Sequence, residues 1–211
     1  MEVSALKKWV TFLKPSKIKK GSTNSMILFM SFSNIMGNLI NIGSGLLAAR
    51  WLLPEELGFF NTFSIITSYL ILIQLGVPSG LGRELPFFWG RNEKEKVDRH
   101  AAAAQYWQKI LGLSALTLSS FISTFFLIKV DFKLSAGIFV VGVTSWEGLY
   151  VTKYLKLLYR ANRNFNKLSW IRLITQLTNG ASVIFVYYFG FYGLCIRAVV
   201  RVIINFVFTY R

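Results

Sequence analysis

The sequence predicts an all-α, polytopic membrane protein built as a bundle of six transmembrane helices. Three observations predict this class. The chain is 54% hydrophobic, it has 24 Lys and Arg against 9 Asp and Glu, and its apolar residues form six long runs separated by the charges. A soluble nucleic-acid-binding protein with this excess of basic charge would carry it on one surface. We therefore expect no nucleic-acid partner.

Each apolar run is long enough to cross a bilayer, which takes about 20 mainly apolar residues. The predicted spans lie at about 24-49, 57-77, 107-128, 134-155, 168-188 and 192-210. Residues 1-23 form a basic tail before them, and residues 24-211 form the six-helix transmembrane lobe. Pro54, Glu55 and Glu56 predict the start of the second helix, because proline and acidic residues suit a first helical turn.

The basic residues concentrate in alternate connecting segments. The N-terminal tail and the 78-106 and 153-167 loops hold sixteen of them: Lys7, Lys8, Lys14, Lys17, Lys19, Lys20, Arg83, Arg91, Lys94, Lys96, Arg99, Lys153, Lys156, Arg160, Arg163 and Lys167. The other connecting segments hold three: Arg50, Lys129 and Lys133. Short basic loops stay on the cytoplasmic side. The pattern therefore predicts that both termini are cytoplasmic.

Polar side chains follow one face of the first predicted span. Asn34, Asn38 and Asn41 recur at intervals of three or four residues, which places them on the same side of a helix. Two interpretations remain open. The amides line a polar path through the bundle, or they hydrogen-bond between packed helices, where each contributes about 0.6 kcal/mol.

The sixth predicted span contains Arg197 and Arg201 one helical turn apart, and the fifth contains Arg172. Placing one arginine at the centre of a membrane helix costs about 2.5 to 3.5 kcal/mol. One interpretation is that Arg197 reaches the membrane interface while Arg201 pairs with Glu147. The other is a cationic, water-filled cavity, because one carboxylate cannot neutralise three guanidiniums. Arginine also suits a phosphate ligand, since its planar fork binds two oxygens at once.

The sequence lacks the motifs of enzymes. It has no phosphate-binding glycine-lysine loop, no nucleophile elbow and no paired carboxylates placed for acid–base work. With only Cys195 and His100, metal-ligand spacings are also missing. We expect a non-enzymatic protein without cofactor or metal.

Several short motifs resemble those of a transporter family. They are Ala48-Ala49-Arg50, Leu53-Pro54-Glu55-Glu56-Leu57-Gly58 with Asn61, Leu75-Gly76-Val77 with Gly80-Leu81 and Arg83, and Tyr159-Arg160-Ala161 with Phe165 and Leu168. With these, the chain resembles the N-terminal lobe of the lipid-linked oligosaccharide (O-antigen type) flippases of the multidrug/oligosaccharidyl-lipid/polysaccharide exporter superfamily. That family has about 12 to 14 spans in two six-helix lobes. The resemblance therefore implies that these residues form one lobe of that fold.

The resemblance also implies a function. Such a protein moves an undecaprenyl-diphosphate-linked repeat unit across the bacterial inner membrane for surface polysaccharide or O-antigen synthesis. Arg197, Arg201 and Arg172 would then bind the diphosphate and acidic sugars. Asn34, Asn38 and Asn41 would bind sugar hydroxyls. The implied partners are the lipid-linked oligosaccharide, membrane lipids, and glycan-assembly enzymes or a second lobe.

Two alternatives stay open. The first is a cation-coupled multidrug exporter of the same superfamily, in which Glu147 is the acid for ion coupling or charge pairing. Such an exporter is expected to have an acid in its first span, where this chain has only asparagines. The second is a half-length membrane scaffold that does not transport.

Overall fold

The computed structural model describes residues 22–161 and 165–210, and the basic tail with Lys7 to Lys20 lies outside them, as do Arg163 and Arg211. Within these ranges the chain forms helices and no strand, as the sequence predicts. The helices are α1 (Ser22–Trp51), α2 (Pro54–Leu72), α3 (Val77–Gly90), α4 (Lys94–Ile128), α5 (Phe132–Ala161), α6 (Phe165–Ala181) and α7 (Ile184–Tyr210).

Three helices, α4, α5 and α7, are long and apolar enough to cross a membrane, and the number rises to four if α2 and α3, bent by 49°, form one span. The predicted spans 107-128, 134-155 and 192-210 lie within the first three. Over the described residues, α1 and α6 are not among these helices, and α6 has only 17 residues. The membrane class is thus supported, while the six-span bundle stays a prediction.

Two predicted spans differ from the helices in their ends. The span predicted at 57-77 ends sooner, because α2 stops at Leu72 and a turn with positive φ at Leu75 and Gly76 leads into α3. The span predicted at 168-188 is interrupted between Ala181 and Ile184. There the Ser182 hydroxyl donates to the carbonyl of Asn179 at 3.0 Å, so a side chain competes with the backbone for a helical acceptor.

Helix α7 bends sharply near its start. Gly190 has φ 56° and ψ −127°, a conformation that side chains with a Cβ rarely adopt. The predicted sixth span at 192-210 corresponds to the straight part that follows this bend. The sequence prediction therefore placed the first segment, residues 184–188, in the fifth span and only the second segment in the sixth.

Helix α5 changes its winding in the middle. Residues Glu147–Leu155 form a π-helix between two α-helical segments. Insertions of π-helix are rare and are often found at functional sites. Most residues of this segment are buried, including Glu147 at 7% exposure.

The helices alternate in direction. Parallel pairs are α1 with α6, where Asn41 contacts Asn179 and Phe29 contacts Trp170, and α2 with α5, where Thr67 contacts Thr144 and Lys133 contacts Glu56. The hairpin of α4 and α5 is antiparallel, as Ser123 contacts Ser135 and Tyr154 contacts Ala101. Helices α1, α4 and α6 thus run one way, and α2, α5 and α7 run the other. An up-and-down membrane bundle requires such alternation.

The core is divided into two groups of helices. Helix α1 packs on α6, while α5 packs on α4 and α2. Helix α7 contacts α1, α2, α5 and α6, and therefore joins the groups. Its Phe191 is buried with Phe63 of α2 and Val140 of α5, and its Leu194 is buried with Ala48 of α1. The arginines of α7 accordingly lie where the two groups meet.

Apart from Lys109, Arg172, Arg197 and Arg201, which lie along the helices, the described basic residues divide between the two ends of the bundle. Where α4 and α6 begin and α5 ends lie Arg83, Arg91, Lys94, Lys96, Arg99, Lys153, Lys156, Arg160 and Lys167. At the other end lie Arg50, Lys129 and Lys133. We call the first the basic end. This asymmetry gives the predicted orientation a structural counterpart, and the side of the membrane itself stays a prediction.

Candidate functional site

The polar stripe of α7 lies at the junction of the two groups of helices. Arg197, Arg201 and Asn205 follow at intervals of four residues and therefore share one face. The two arginines are half-buried and Asn205 is 3% exposed. A charged face turned into a helical bundle needs hydrogen-bond partners, water or a ligand.

Arg197 is held by α6 and α1. Its Nε donates to the backbone oxygen of Asn179 at 3.0 Å and to the side-chain oxygen of Asn179 at 3.2 Å. Its Nη2 donates to the hydroxyl of Ser44 at 2.7 Å. The carbonyl of Asn179 lies in the last turn of α6, where backbone oxygens lack helical partners. Arg197 therefore caps α6 and ties it to α1.

The asparagine face of α1 is used in part for contacts between helices. Asn34 accepts a hydrogen bond from Nη1 of Arg172, and Asn41 accepts one from Nδ2 of Asn179 at 3.0 Å. Asn38 lies between them on the same helix, is exposed, and makes no side-chain hydrogen bond to any residue that the structure describes. The structure thus joins Asn34 with Arg172 and Asn41 with Asn179, whereas the side chain of Asn38 has no hydrogen-bond partner among the described residues.

Arg201 has different surroundings from Arg197. It lines a cavity of about 230 Å³ between α2, α5 and α7, together with hydroxyl-bearing Ser64, Thr67 and Thr144. Thr67 and Thr144 contact each other at 3.3 Å. No acceptor within residues 22–161 and 165–210 bonds to the guanidinium of Arg201. Its five N–H donors are therefore available to water or to an anion in the cavity.

Glu147 has polar partners but no cation in direct contact among the residues that the structure describes. Its Oε1 accepts hydrogen bonds from Nδ2 of Asn205 and from the hydroxyl of Thr152. The π-helix places residue i+5 beside residue i, which brings Thr152 over Glu147. Among the described residues the ion pairs within 4.0 Å are elsewhere, at Glu93, Glu84 and Glu56. Arg201 and Glu147 therefore do not form the contact that one interpretation of the sequence required.

The amide of Asn205 is incompletely bonded. Its Oδ1 is buried without a hydrogen-bond partner in the described part of the chain, although its Nδ2 donates to Glu147. Buried side-chain oxygens normally accept at least one hydrogen bond. Among the described residues, Asn205 Oδ1 is therefore an unsatisfied acceptor beside Glu147.

Positive charge dominates around this carboxylate. Lys156 of α5 interacts electrostatically with Glu147, and also with Arg172, Arg201 and Arg160. Arg197 and Arg201 repel each other in the same way. The described cations of this region, Lys156, Arg160, Arg172, Arg197 and Arg201, thus outnumber the one buried carboxylate. The balance favours an anionic ligand or water in this region.

Sequence reasoning missed three residues of this site. Ser44, Thr152 and Lys156 take part in the contacts around Arg197 and Glu147. Ser44 is three residues from Asn41 and could have been found by extending the polar face of α1. Lys156 was assigned to a loop, because the apolar pattern fades before α5 ends. No sequence signal indicates the π-helix that positions Thr152.

Comparison with protein-family models, with curated proteins and with solved structures found no match to this chain.

Proposed function

We propose that this chain belongs to a membrane exporter that moves a lipid-linked oligosaccharide across the bacterial inner membrane, with both termini in the cytoplasm. The observation that supports it is Arg201, a half-buried cation without an acidic partner among the described residues, which lines a cavity beside hydroxyl groups. Its cost of about 2.5 to 3.5 kcal/mol in the membrane requires compensation. The diphosphate of a lipid-linked sugar offers two charged groups for this purpose.

The other predicted residues take different roles. Arg197 fixes the position of α7 against α6 and α1 through Asn179 and Ser44, and adds its charge to the potential around Arg201. Asn38 is free to bind a sugar hydroxyl. Asn34 and Asn41 bind the ligand only if they exchange their bonds to Arg172 and Asn179.

Transport of this kind requires the cavity to open in turn to each side. Helix α7 joins the two groups of helices, and a break precedes it at 182–183 while Gly190 bends it. Movement of α7 relative to α2 and α5 changes the walls of the cavity at Arg201. Binding of a diphosphate there favours the arrangement in which the guanidinium is best coordinated.

The test is transport of a fluorescent undecaprenyl-diphosphate oligosaccharide in vesicles that contain the protein. We expect Arg201→Gln to abolish protection of the label from an external quencher, whereas Lys129→Gln, which removes a charge at the opposite end, has no effect. Equal transport by both variants at equal protein level rejects the role of Arg201.

A second candidate function rests on Glu147. Glu147 is a buried acid of a membrane-length helix with no ion pair among the described residues, and a cation-coupled exporter requires such an acid. Such an exporter needs no diphosphate. Dye efflux driven by a pH gradient, lost in Glu147→Gln and kept in Arg201→Gln, supports this function over the first.

A further inference from the structure

A second cavity lies at the basic end of the bundle, apart from Arg197 and Arg201. It occupies about 340 Å³ between the start of α3 and the last part of α5. This volume falls in the range of about 300 to 1,000 Å³ in which small ligands bind. Its walls include Ser79 and Gly82 of α3, and Thr152, Lys153 and Arg160 of α5.

The charge of this cavity is not compensated by any residue that the structure describes. Lys153 and Arg160 are exposed, and neither forms an ion pair or hydrogen bond with a residue that the structure describes. Among residues 22–161 and 165–210, no acidic side chain lines the cavity. Glu147, the nearest acid along α5, is buried and accepts its hydrogen bonds from Thr152 and Asn205. Two cations therefore share one concave surface with no counter-charge of their own.

Neutral donors face the same space. The backbone N–H of Ser79 lies in the first turn of α3, where no helical acceptor exists, and no described residue accepts from it. The preceding Pro78 has no N–H at all. The Ser79 hydroxyl adds another donor, and the start of a helix carries partial positive charge. Gly82 keeps this wall of the cavity free of a side chain, since a Cβ there would lie 3.4 Å from Leu157.

The position of the cavity indicates the ligand. It lies at the end of α5 and the start of α3, at the basic end of the bundle. Basic pockets between membrane helices at this level bind phosphate-bearing headgroups. Lysine and arginine each bind phosphate, the arginine through two parallel hydrogen bonds.

We propose that the cavity between α3 and α5 binds the phosphate of an anionic lipid headgroup from the leaflet at the basic end. Lys153 and Arg160 supply the charge, and Ser79 supplies the neutral donors. This inference does not rest on the proposed transport function, because neither cation is among the residues assigned to the transported ligand. A soluble phosphate has the same chemistry, and the experiment distinguishes the two sources.

The experiment is native mass spectrometry of the detergent-solubilised protein with phosphatidylglycerol, with phosphatidylcholine, or with phosphatidylglycerol and excess inorganic phosphate. Each cation near a headgroup contributes about 5-fold to affinity. We expect Lys153→Gln/Arg160→Gln to weaken phosphatidylglycerol binding by about 25-fold. The matched control, Arg50→Gln/Lys129→Gln, removes two exposed cations at the opposite end and leaves binding unchanged.

The outcomes separate the sources. Phosphatidylglycerol retained in excess phosphate identifies the lipid headgroup, whereas its displacement assigns the cavity to a soluble phosphate. Equal binding by both double variants, or equal binding of phosphatidylcholine, overturns the proposal. If the first double variant does not fold, Gly82→Leu keeps both cations but fills the cavity, and undiminished binding by it also overturns the proposal.

Discussion

Arg197 and Arg201 lie one turn apart on α7 but differ in their contacts, because Arg197 donates three hydrogen bonds to Asn179 and Ser44 while Arg201 faces a cavity. Substituting each by leucine separates their roles. We expect Arg197→Leu to lower the free energy of unfolding by about 1–3 kcal/mol, since it removes the three hydrogen bonds to Asn179 and Ser44 and leaves Oδ1 of Asn179 without its described donor. Arg201→Leu should leave stability unchanged or raise it. Unfolding in mixed micelles measures both, and equal losses contradict the assignment.

The asparagines of α1 allow a matched comparison on one helix. Asn41 bonds to Asn179 of α6, whereas Asn38 is exposed. Asn41→Ala should destabilise the protein by about 0.6 kcal/mol, the average for a hydrogen bond between membrane helices. Asn38→Ala should have no measurable effect on unfolding. A double-mutant cycle of Asn41 and Asn179 that shows no coupling contradicts the first expectation.

The buried pair of Glu147 and Asn205 predicts a non-additive effect. Glu147→Leu removes the acceptor of Asn205, whose Oδ1 already lacks a partner among the described residues, so the whole amide stays buried and unbonded. We expect a loss of about 1–3 kcal/mol in the free energy of unfolding. Adding Asn205→Leu should recover most of it, because replacing both polar partners is nearly neutral. Additive losses, measured in the same micelles, reject this account.

Close packing of α2 on α5 depends on Gly137. A Cβ at this position would lie 2.2 Å from the ring of Phe63, so alanine forces the helices apart. Overpacking of this kind costs about 1–3 kcal/mol. Gly45 is the control, as a Cβ there meets nothing within 4 Å. Gly45→Ala should be neutral or stabilise slightly. The melting temperatures of Gly137→Ala and Gly45→Ala are compared by thermal unfolding in detergent. Similar melting temperatures would contradict the close packing of Phe63 on Gly137.

The sequence could predict the features that depend only on residues close together in the chain. The start of α2 at Pro54 and the shared face of Arg197 and Arg201 follow from helix chemistry and from a period of about 3.6 residues, which need no knowledge of neighbours. The contact of Arg197 with Ser44 joins residues far apart in the chain. No periodic pattern reports which helices will be adjacent.

The differences between the predicted spans and the observed helices also come from local contacts and conformations that the apolar pattern does not record. The interruption after Ala181 depends on the Ser182 hydroxyl bonding to Asn179, and the bend of α7 depends on Gly190. Both occur inside sequences apolar enough to read as continuous. The π-helix at Glu147–Leu155 is set by packing and leaves no mark in composition. The all-helical membrane class could therefore be predicted from the sequence, while the surroundings of Glu147 could not.

The distribution of basic residues predicts which end of the bundle faces the cytoplasm. Arg91 lies at the basic end and Lys129 at the opposite end, and both are exposed. In a Cys195→Ala background, which removes the single natural cysteine, we expect a membrane-impermeant maleimide to label Lys129→Cys in intact spheroplasts. It should label Arg91→Cys only after permeabilisation, because basic loops are retained inside.

Labelling of both positions from one side contradicts the alternating directions of the helices, and the reverse pattern contradicts the orientation. The result also decides which leaflet meets the cavity of Lys153 and Arg160, since that cavity lies at the same end as Arg91. A cytoplasmic position places the two cations at the leaflet that carries a negative surface potential in many membranes. Binding of anionic headgroups by these two cations would then add to the electrostatic attraction that holds the basic end of the bundle on the cytoplasmic side.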